Sequence, residues 1–572
     1  MLNPDPLTLP ALARTVGERW PTKPAFSLLG ENGPAEMMNW YSFSRRVAGL
    51  ASVLLREGLK EGDRVLLLAE NSPAWPVAYF AISTAGGVIV PVLVDFAPEQ
   101  IKNIISHSGV TMAFVSGKTR EKIPEDLRTA LTIFNIDSMN ADSIHIASPD
   151  GSRKEVFRAL SVYAERHPDD LASILYTSGT SGQSKGVMLS HRNLLFDAMA
   201  CHSIIKIYPR DRFLSILPLA HTYECTIGML IATVNGASTV YLDRPPTPAV
   251  LLPALKQVKP TIMLSVPLIM EKIYRGKILP TLEKHPLYRL PLTRPLAIKA
   301  AGKKLYGTFG GAVRFFGIGG AALAPDVEAF LMKAGFPYAI GYGLTETAPL
   351  LAGAPPFKTV LRSTGPALEG VDLRIVDADG NVLHEPGAEG EIQAKGPNVM
   401  LGYYRDEERT ADVFTEDGWF KTGDLGSFDK RGRLFIKGRL KAMILGPSGE
   451  NIYPEEIESL INETGFVEES LVYAGKGGEI VALVVLNEKA QNLMAAAGDA
   501  AHDAADAIGA AFHDVADRAG ALLGKVKADV NRRLGVFSRI HQIHIHQEPF
   551  EKTATRKIKR FLYPNQHIDQ KG

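Results

Sequence analysis

The run Tyr176–His191, YTSGTSGQSKGVMLSH, constrains the chain more than any other stretch. Apolar residues Leu171–Tyr176 lead into it, and a helical pattern starting near Asn193 leads out. Ser178, Thr180, Ser181 and Ser184 bring hydroxyl groups, and Gly179, Gly182 and Gly186 bring backbone freedom. In such a loop successive N–H groups turn towards one anion, and Lys185 supplies a cation for that anion's outer oxygens. Those are the means of holding nucleotide phosphates. A P-loop requires glycine directly before the lysine and Ser or Thr directly after it. Ser184 and Gly186 occupy those positions, so that class is excluded. Flexible Gly/Ser linkers have a similar composition. A linker, however, does not sit between a buried strand and a helix or end in Lys-Gly-Val.

At 572 residues the chain requires more than one core. A net charge of +1 with 22% charged residues offers no nucleic-acid surface. Cys201 and Cys225 cannot form a disulfide framework, and no Cys/His zinc spacing occurs. The start MLNPDPLTLP lacks a basic segment followed by an apolar one, so a cytoplasmic protein is expected. The run Val77–Val94 is apolar, but Gly86, Gly87 and Pro91 divide it into a helix, a stop and a strand instead of a membrane span.

Up to about residue 170 one theme repeats. Phe43, Val47, Ala51 and Leu54 mark a helix face ending at Gly58. A strand at 65–68, a helix at 74–85, a strand at 88–94, a helix at 98–107 and a strand at 109–116 follow. Further strands are expected at 213–218, 238–242, 261–266, 313–318 and 337–341. This alternation predicts an α/β chain with mostly parallel sheet covered on both faces. From 365 to 438 short alternating strands with tight turns predict an antiparallel β-rich subdomain.

The segment Gly317-Ile-Gly319-Gly320-Ala321-Ala322 fits a dinucleotide fingerprint. The strand that should end in an acid ends instead in Gly341-Tyr342-Gly343, which argues against it. An adenosine site suits these residues better. Tyr342 offers a flat face for adenine, the Gly319–Ala321 turn lets backbone approach its edge, and Thr345 and Glu346 offer hard oxygen ligands for Mg²⁺. Asp424, in WFKTGDL, brings a carboxylate that can accept from two hydroxyls at once.

Taken with the phosphate loop, the tracts GYGLTETAP (341–349), WFKTGDL (419–425), GRLK (438–441) and FEKTATRKI (550–558) resemble, in order, the motifs of the acyl-adenylate-forming family. That family comprises acyl-CoA synthetases, peptide-synthetase adenylation domains and luciferases. Pro218-Leu219-Ala220-His221 matches its acyl-site loop, and the continuation to Glu224 is most similar to long-chain fatty acyl-CoA synthetases. The basic, proline-rich insert at 271–309 points the same way.

The resemblance implies a large multi-sheet α/β N-terminal domain, 1–438, and a small mobile α+β C-terminal domain, 439–572. It implies ATP, Mg²⁺ and coenzyme A as cofactors and a medium- or long-chain fatty acid as substrate. The acid is converted to acyl-AMP and then to a thioester; delivery to a carrier protein is the alternative. Thr177, Ser178, Gly179, Thr180, Ser181, Gly182 and Lys185 would hold phosphate, with Thr180 and Glu346 on the metal. Lys185, Glu346, His221 and Lys557 would be catalytic. Gly341, Gly343 and Thr345 would line the nucleotide, Asp424 would accept from the ribose hydroxyls, and Arg439 would touch the ribose and phosphate. Lys441 would be the domain pivot, with Ala442 where an acidic or amide residue is usual. Gly446 and Gly449 would form the loop that enters for the thioester step, and Arg556 replaces the glycine usual before Lys557. A transient membrane-surface contact and a homodimer are both compatible with this reading.

The segment 489–534 carries an 11-residue repeat, with Gly498, Gly509 and Gly520 in register. Its apolar positions Ile508, Phe512, Val515, Ala519, Leu522 and Val526 predict one long amphipathic helix. The narrow seam and the aspartates of its first half suit close packing or a subunit contact better than a lipid surface. His541, His544 and His546 alternate along a strand, where a solvated face is favoured over a metal site.

Overall fold

The computed structural model describes residues 1–31, 33–138, 152–163, 166–178, 184–445, 451–475, 479–495, 507–553 and 558–563. Two sheets dominate the first 400 residues. One has eight strands in the order Leu350–Gly353, Tyr338–Gly343, Phe315–Ile318, Ile262–Ser265, Arg212–Leu214, Ser238–Leu242, Pro24–Gly30 and Gly33–Asn39. The other has seven, in the order Gly402–Tyr403, Ser184–Ser190, Leu171–Ser178, Val88–Pro91, Arg64–Leu68, Met112–Val115 and Thr132–Asn135. Most of their strands run parallel, as the βα alternation requires; antiparallel pairs close both edges of the eight-stranded sheet and the Gly402–Tyr403 end of the seven-stranded one, whose other edge, Thr132–Asn135, is parallel.

The apolar periods predict the core well. Phe43, Val47, Ala51 and Leu54 of the helix Trp40–Arg56 are fully buried, and the Asn39 side chain caps its start by accepting from Ser42 N at 2.8 Å. Phe26, Trp40 and Phe43 meet edge to face at 5.2–5.7 Å. The run from Val77 is the helix Ala74–Thr84 followed by the strand Val88–Pro91, with Gly86 at φ +89 between them. Among the described residues no helix is long and apolar enough to cross a membrane.

Several strands are shorter than expected. The strand begun at Val88 stops at Pro91, and that begun at Arg212 stops at Leu214. In the second case the Asn71 side chain takes over from the ladder. It donates to Ser215 Oγ at 3.1 Å and Leu217 O at 2.6 Å, and accepts from Leu219 N at 2.9 Å. One element was unforeseen: Ser184–Ser190 is a strand, hairpinned onto Leu171–Ser178, and the helix His191–Ala200 begins only after it.

The antiparallel β-rich segment has the strand order Val382–Leu383, Asp372–Val376, Gly390–Lys395, Phe420–Phe428 and Leu434–Arg439. Beyond it lie a three-stranded sheet, Val467–Ala474, Ile480–Leu486 and Gln542–Ile545, and the helix Pro454–Asn462. Within 489–534 the described helices are Glu488–Ala495 and Ala507–Asn531, and 496–506 lie outside the described residues. The second ends at Asn531 because that side chain turns to the chain beyond, bonding Ile540 O and Ile540 N at 3.0 and 2.8 Å. Its Val526 and Val530 are buried with Ile457, Ile461 and Val484, so the later part of the seam packs on the adjoining sheet and helix. The side chains of Ile508, Phe512 and Val515 lie outside the described residues. His541 Nδ1 accepts from Ile480 N at 3.0 Å, and His546 stacks on Phe550 at 4.9 Å.

Candidate active site

The strand that carries Lys185 fixes the site. Lys185 pairs with Thr177 across the hairpin, and Gly186 pairs with Tyr176. A Cβ at Gly186 would lie 2.8 Å from Ile174 and 3.2 Å from Tyr176, so only glycine lets the strands close behind the lysine. Lys185 Nζ reaches Tyr403 Oη at 3.1 Å and Glu346 Oε1 at 3.4 Å, and lies 4.7 Å from the Tyr403 ring centroid. Tyr403 Oη in turn donates to Glu346 Oε1 at 3.0 Å. Three side chains from three distant segments thus share one carboxylate oxygen. Burial and the Glu346 carboxylate push the Tyr403 phenol well above its ordinary range, which keeps it a donor.

Tyr403 was not anticipated from sequence. It belongs to the two-residue strand Gly402–Tyr403, which pairs with Val187 and Met188 beside Lys185. Its signal is the Gly402 preceding two tyrosines: Gly402 has φ +141, and a Cβ there would lie 2.7 Å from Thr410. Glu346 sits on a single 3₁₀ turn, Thr345–Thr347, and its carbonyl accepts from Met400 N at 2.9 Å.

A second cluster lies on the neighbouring sheets. Tyr342 Oη donates to Asp424 Oδ2 at 2.8 Å, and Arg439 Nε approaches Asp424 Oδ1 at 2.9 Å. Asp424 is buried although it carries this ion pair, and its own N–H donates to Thr422 Oγ1 at 3.1 Å. Asp424 and Arg439 are direct register partners on adjacent strands. The turn joining those strands is tight: Asp429 Oδ1 accepts from Arg431 N at 2.8 Å and Arg433 N at 3.0 Å. Burial and the Asp424 charge push the Tyr342 phenol far up, so it too stays protonated.

The glycines divide into two kinds. A Cβ at Gly343 would meet Pro349 O at 1.7 Å and one at Gly341 would meet Leu350 at 2.7 Å, so both serve the close approach of the strand Leu350–Gly353. Gly319 lies under the Tyr223 ring, where a Cβ would come within 3.1 Å. Gly320 has φ +88, with Val266 Cγ1 at 4.0 Å from where a Cβ would lie, and it and Ala321 are exposed. Those two fit an exposed backbone edge.

His221 precedes the π-helix Tyr223–Leu230, and its Nδ1 accepts from Tyr223 N at 3.2 Å. Glu224, on that π-helix, is buried and hydrogen-bonded to Ser215, and burial raises its carboxyl to about 8. An apolar cavity of about 30 Å³ opens between the π-helix, through Ile227 and Ile231, and the sheet, through Phe213, Ile262, Leu264 and Phe315. Lys441 lies exposed on the turn Leu440–Ala442 directly after Arg439. Gly179, Thr180, Ser181, Gly182, Gly446, Gly449 and Lys557 lie outside the described residues, as do the side chains of Ser178 and Ser184. Lys552 and Ile558 pair across the segment that contains Lys557.

Each cluster joins a phenol, a carboxylate and a cation contributed by separate segments of the chain. The chain belongs to the AMP-binding enzyme family, whose profile matches residues 13–404. It is 28% identical over 487 residues to the peroxisomal long chain acyl-CoA synthetase 6 of Arabidopsis thaliana, covering 80% of this chain and 69% of that protein. It is 27% identical to the chloroplastic long-chain-fatty-acid–[acyl-carrier-protein] ligase AEE15 of the same plant, over 80% of this chain and 74% of that one. Among solved structures, ATP-bound MatB from Rhodopseudomonas palustris superposes with a TM-score of 0.74 at 25% identity, covering 98% of this chain and 99% of that one.

Proposed function

We propose that the protein activates a medium- or long-chain fatty acid with ATP and transfers the acyl group to coenzyme A. The observation that carries this is the pair of clusters, Lys185–Glu346–Tyr403 and Tyr342–Asp424–Arg439. In the first step a carboxylate oxygen of the acid bonds to the α-phosphorus, and the bond from that phosphorus to pyrophosphate breaks. Two anions must meet, so positive charge has to be supplied. Lys185 faces the β- and γ-phosphates, and Lys557 aligns the attacking carboxylate. Asp424 accepts from the ribose hydroxyls while Arg439 steadies the adjoining phosphate, and Tyr342 presents its ring to adenine. His221 borders the acyl carboxylate.

Glu346 fits a Mg²⁺ ligand: its Oε1 is held by Tyr403 and Lys185, and among the described residues its Oε2 makes no hydrogen bond. Thr180 is its partner ligand. Bound there, the ion neutralises phosphate charge. In the second step the thiol sulfur bonds to the acyl carbon and AMP departs. The 439–572 segment turns about Lys441 between the steps, bringing the Gly446–Gly449 loop to the thiol. A transient contact with a membrane surface, from which a fatty acid is drawn, is part of this reading.

The test is ATP–pyrophosphate exchange over a panel of carboxylic acids, followed by detection of acyl-CoA. Exchange with fatty acids and release of free CoA thioester are expected. Exchange with none of them defeats the assignment, and transfer only to a carrier-protein thiol gives the acyl acceptor to the alternative.

A further inference from the structure

Four of the exposed large apolar residues are leucines of one short stretch. Leu287, Leu290, Leu292 and Leu296 lie within ten positions of one another and are 41%, 59%, 94% and 61% exposed. A soluble surface seldom leaves that much leucine together without a use for it. The leucines do not sit on a slack loop. Thr293 Oγ1 donates to Leu287 O at 2.7 Å, Arg294 Nε to Tyr288 O at 3.0 Å and Arg289 Nε to Glu283 O at 3.2 Å, and the Arg294 guanidinium lies over the Tyr288 ring at 5.0 Å. The turn is held in shape with its apolar tip outward.

The helix Arg294–Thr308 continues the surface. Ala297, Ile298 and Leu305 are buried, and a Cβ at Gly302 would lie 2.5 Å from Ala334 O, so that face is seated on the neighbouring helix. Leu296, Lys299 and Lys303 recur at three- and four-residue steps on the outward face. Charge here has one sign. From Lys284 to Pro325 the sequence contains no aspartate or glutamate, and Lys284, Arg289, Arg294, Lys299, Lys303 and Lys304 are all exposed.

We propose that the leucine tip 287–296 and its ring of arginines and lysines dock this protein on an anionic phospholipid surface. Leucines enter the headgroup–acyl boundary while the bases meet lipid phosphates, the arrangement of an interfacial anchor. A second copy of the chain is a poor occupant: a two-fold contact through this patch would set like charges against like. The base of the segment is tied to the loop after Gly319–Ala321, since Glu271 accepts from Ala324 N at 3.0 Å and Arg275 pairs with Asp326 at 3.0 Å. The docked turn is therefore braced against the nucleotide side of the site. This inference rests on the fatty-acid reading for its purpose, but docking is measured without substrate.

The experiment is vesicle flotation of the full-length protein, with phosphatidylcholine alone and with phosphatidylcholine containing phosphatidylglycerol. The wild type is expected to float with the anionic vesicles, less so as salt rises, and weakly with the neutral ones. A base near such a surface contributes about fivefold in affinity, so Lys299→Glu/Lys303→Glu, which leaves the bonds that shape the turn in place, should weaken anionic binding on the order of a hundredfold. Leu290→Ser/Leu292→Ser/Leu296→Ser should lower it by a factor on the order of tenfold or more. Both variants should keep the wild-type thermal midpoint and the wild-type exchange rate with a medium-chain acid presented in free solution, which shows that they are folded. Wild-type protein that does not float, or variants that float like it, overturns the docking and leaves the ligase assignment intact. A leucine variant that alters oligomeric state without altering flotation assigns the patch to a subunit contact instead. Normal flotation in a protein that activates no fatty acid would overturn the ligase reading alone.

Discussion

Replacing Tyr403 by phenylalanine removes one oxygen atom and almost nothing else. The ring stays, and with it the contact between Lys185 Nζ and the ring face at 4.7 Å. What goes is a hydroxyl that donates to Glu346 Oε1 at 3.0 Å and accepts from Lys185 Nζ at 3.1 Å. Hydrogen bonds to charged groups contribute about 1.5–3 kcal/mol each. Some of that returns when water or the direct Lys185–Glu346 pair, at 3.4 Å, takes up the slack. A net loss of about 1.5–3 kcal/mol in positioning corresponds to a roughly 10- to 100-fold fall in kcat/KM for adenylation. Because Glu346 is assigned to the metal, the Mg²⁺ concentration at half-maximal exchange should rise as well. Both quantities come from ATP–pyrophosphate exchange run as a Mg²⁺ titration, with the thermal midpoint monitored to exclude unfolding. A Tyr403→Phe enzyme with the wild-type rate and an unchanged Mg²⁺ curve would refute the placement of this tyrosine. A lowered rate at every Mg²⁺ concentration, with an unchanged midpoint, would refute the metal role of Glu346.

Lys557→Ala should abolish pyrophosphate exchange yet leave thioester formation from supplied acyl-AMP, as followed by acyl-CoA release; losses in the opposite order would remove Lys557 from the first step. Lys441→Pro should keep exchange and lose the CoA step, because proline fixes the φ that a pivot must change; normal overall turnover would move the pivot elsewhere. Glu224 is raised by burial from 4.5 to about 8, so the folded state holds its proton more tightly than the unfolded one. That contribution is complete below about pH 4.5 and is lost as pH rises through about 8, a fall of a few kcal/mol. The thermal midpoint of Glu224→Gln should therefore change less with pH across that window than the midpoint of the wild type, and identical slopes would contradict a buried neutral acid.

The sheet strands and the helix face of Trp40–Arg56 were legible because burial on both sides, or on one stripe, writes itself into a run or a period. Tyr342, Asp424 and Arg439 were legible as separate motifs and meet in space, though their mutual bonds were not readable. Tyr403 was hidden for a physical reason: it reaches Lys185 only through a two-residue strand pairing, which leaves no periodicity. Asn71 was hidden likewise, since a single amide ending a strand prematurely has no sequence signature beyond its own type. Ser184–Ser190 was read as part of a loop because its serines and glycine masked the alternation of Val187 and Leu189, both fully buried. Gly341 and Gly343 carry a second constraint that the motif does not reveal, since a Cβ on either would strike the strand Leu350–Gly353 or the residue before it.

The turn from Asp429 to Arg433 is a spacer that sets a distance elsewhere. Its length, together with the irregularity between Leu425 and Gly426, decides that Asp424 faces Arg439 and not the residue beside it. In a β-ladder a shift of one residue turns every side chain to the opposite face. An added or deleted residue here would therefore rotate the arginine away from the ribose acid without touching either one. Loops at a protein's surface are the usual places to attach tags, biosensor modules or crosslinks. This one, although it contacts nothing in the site, should reject them.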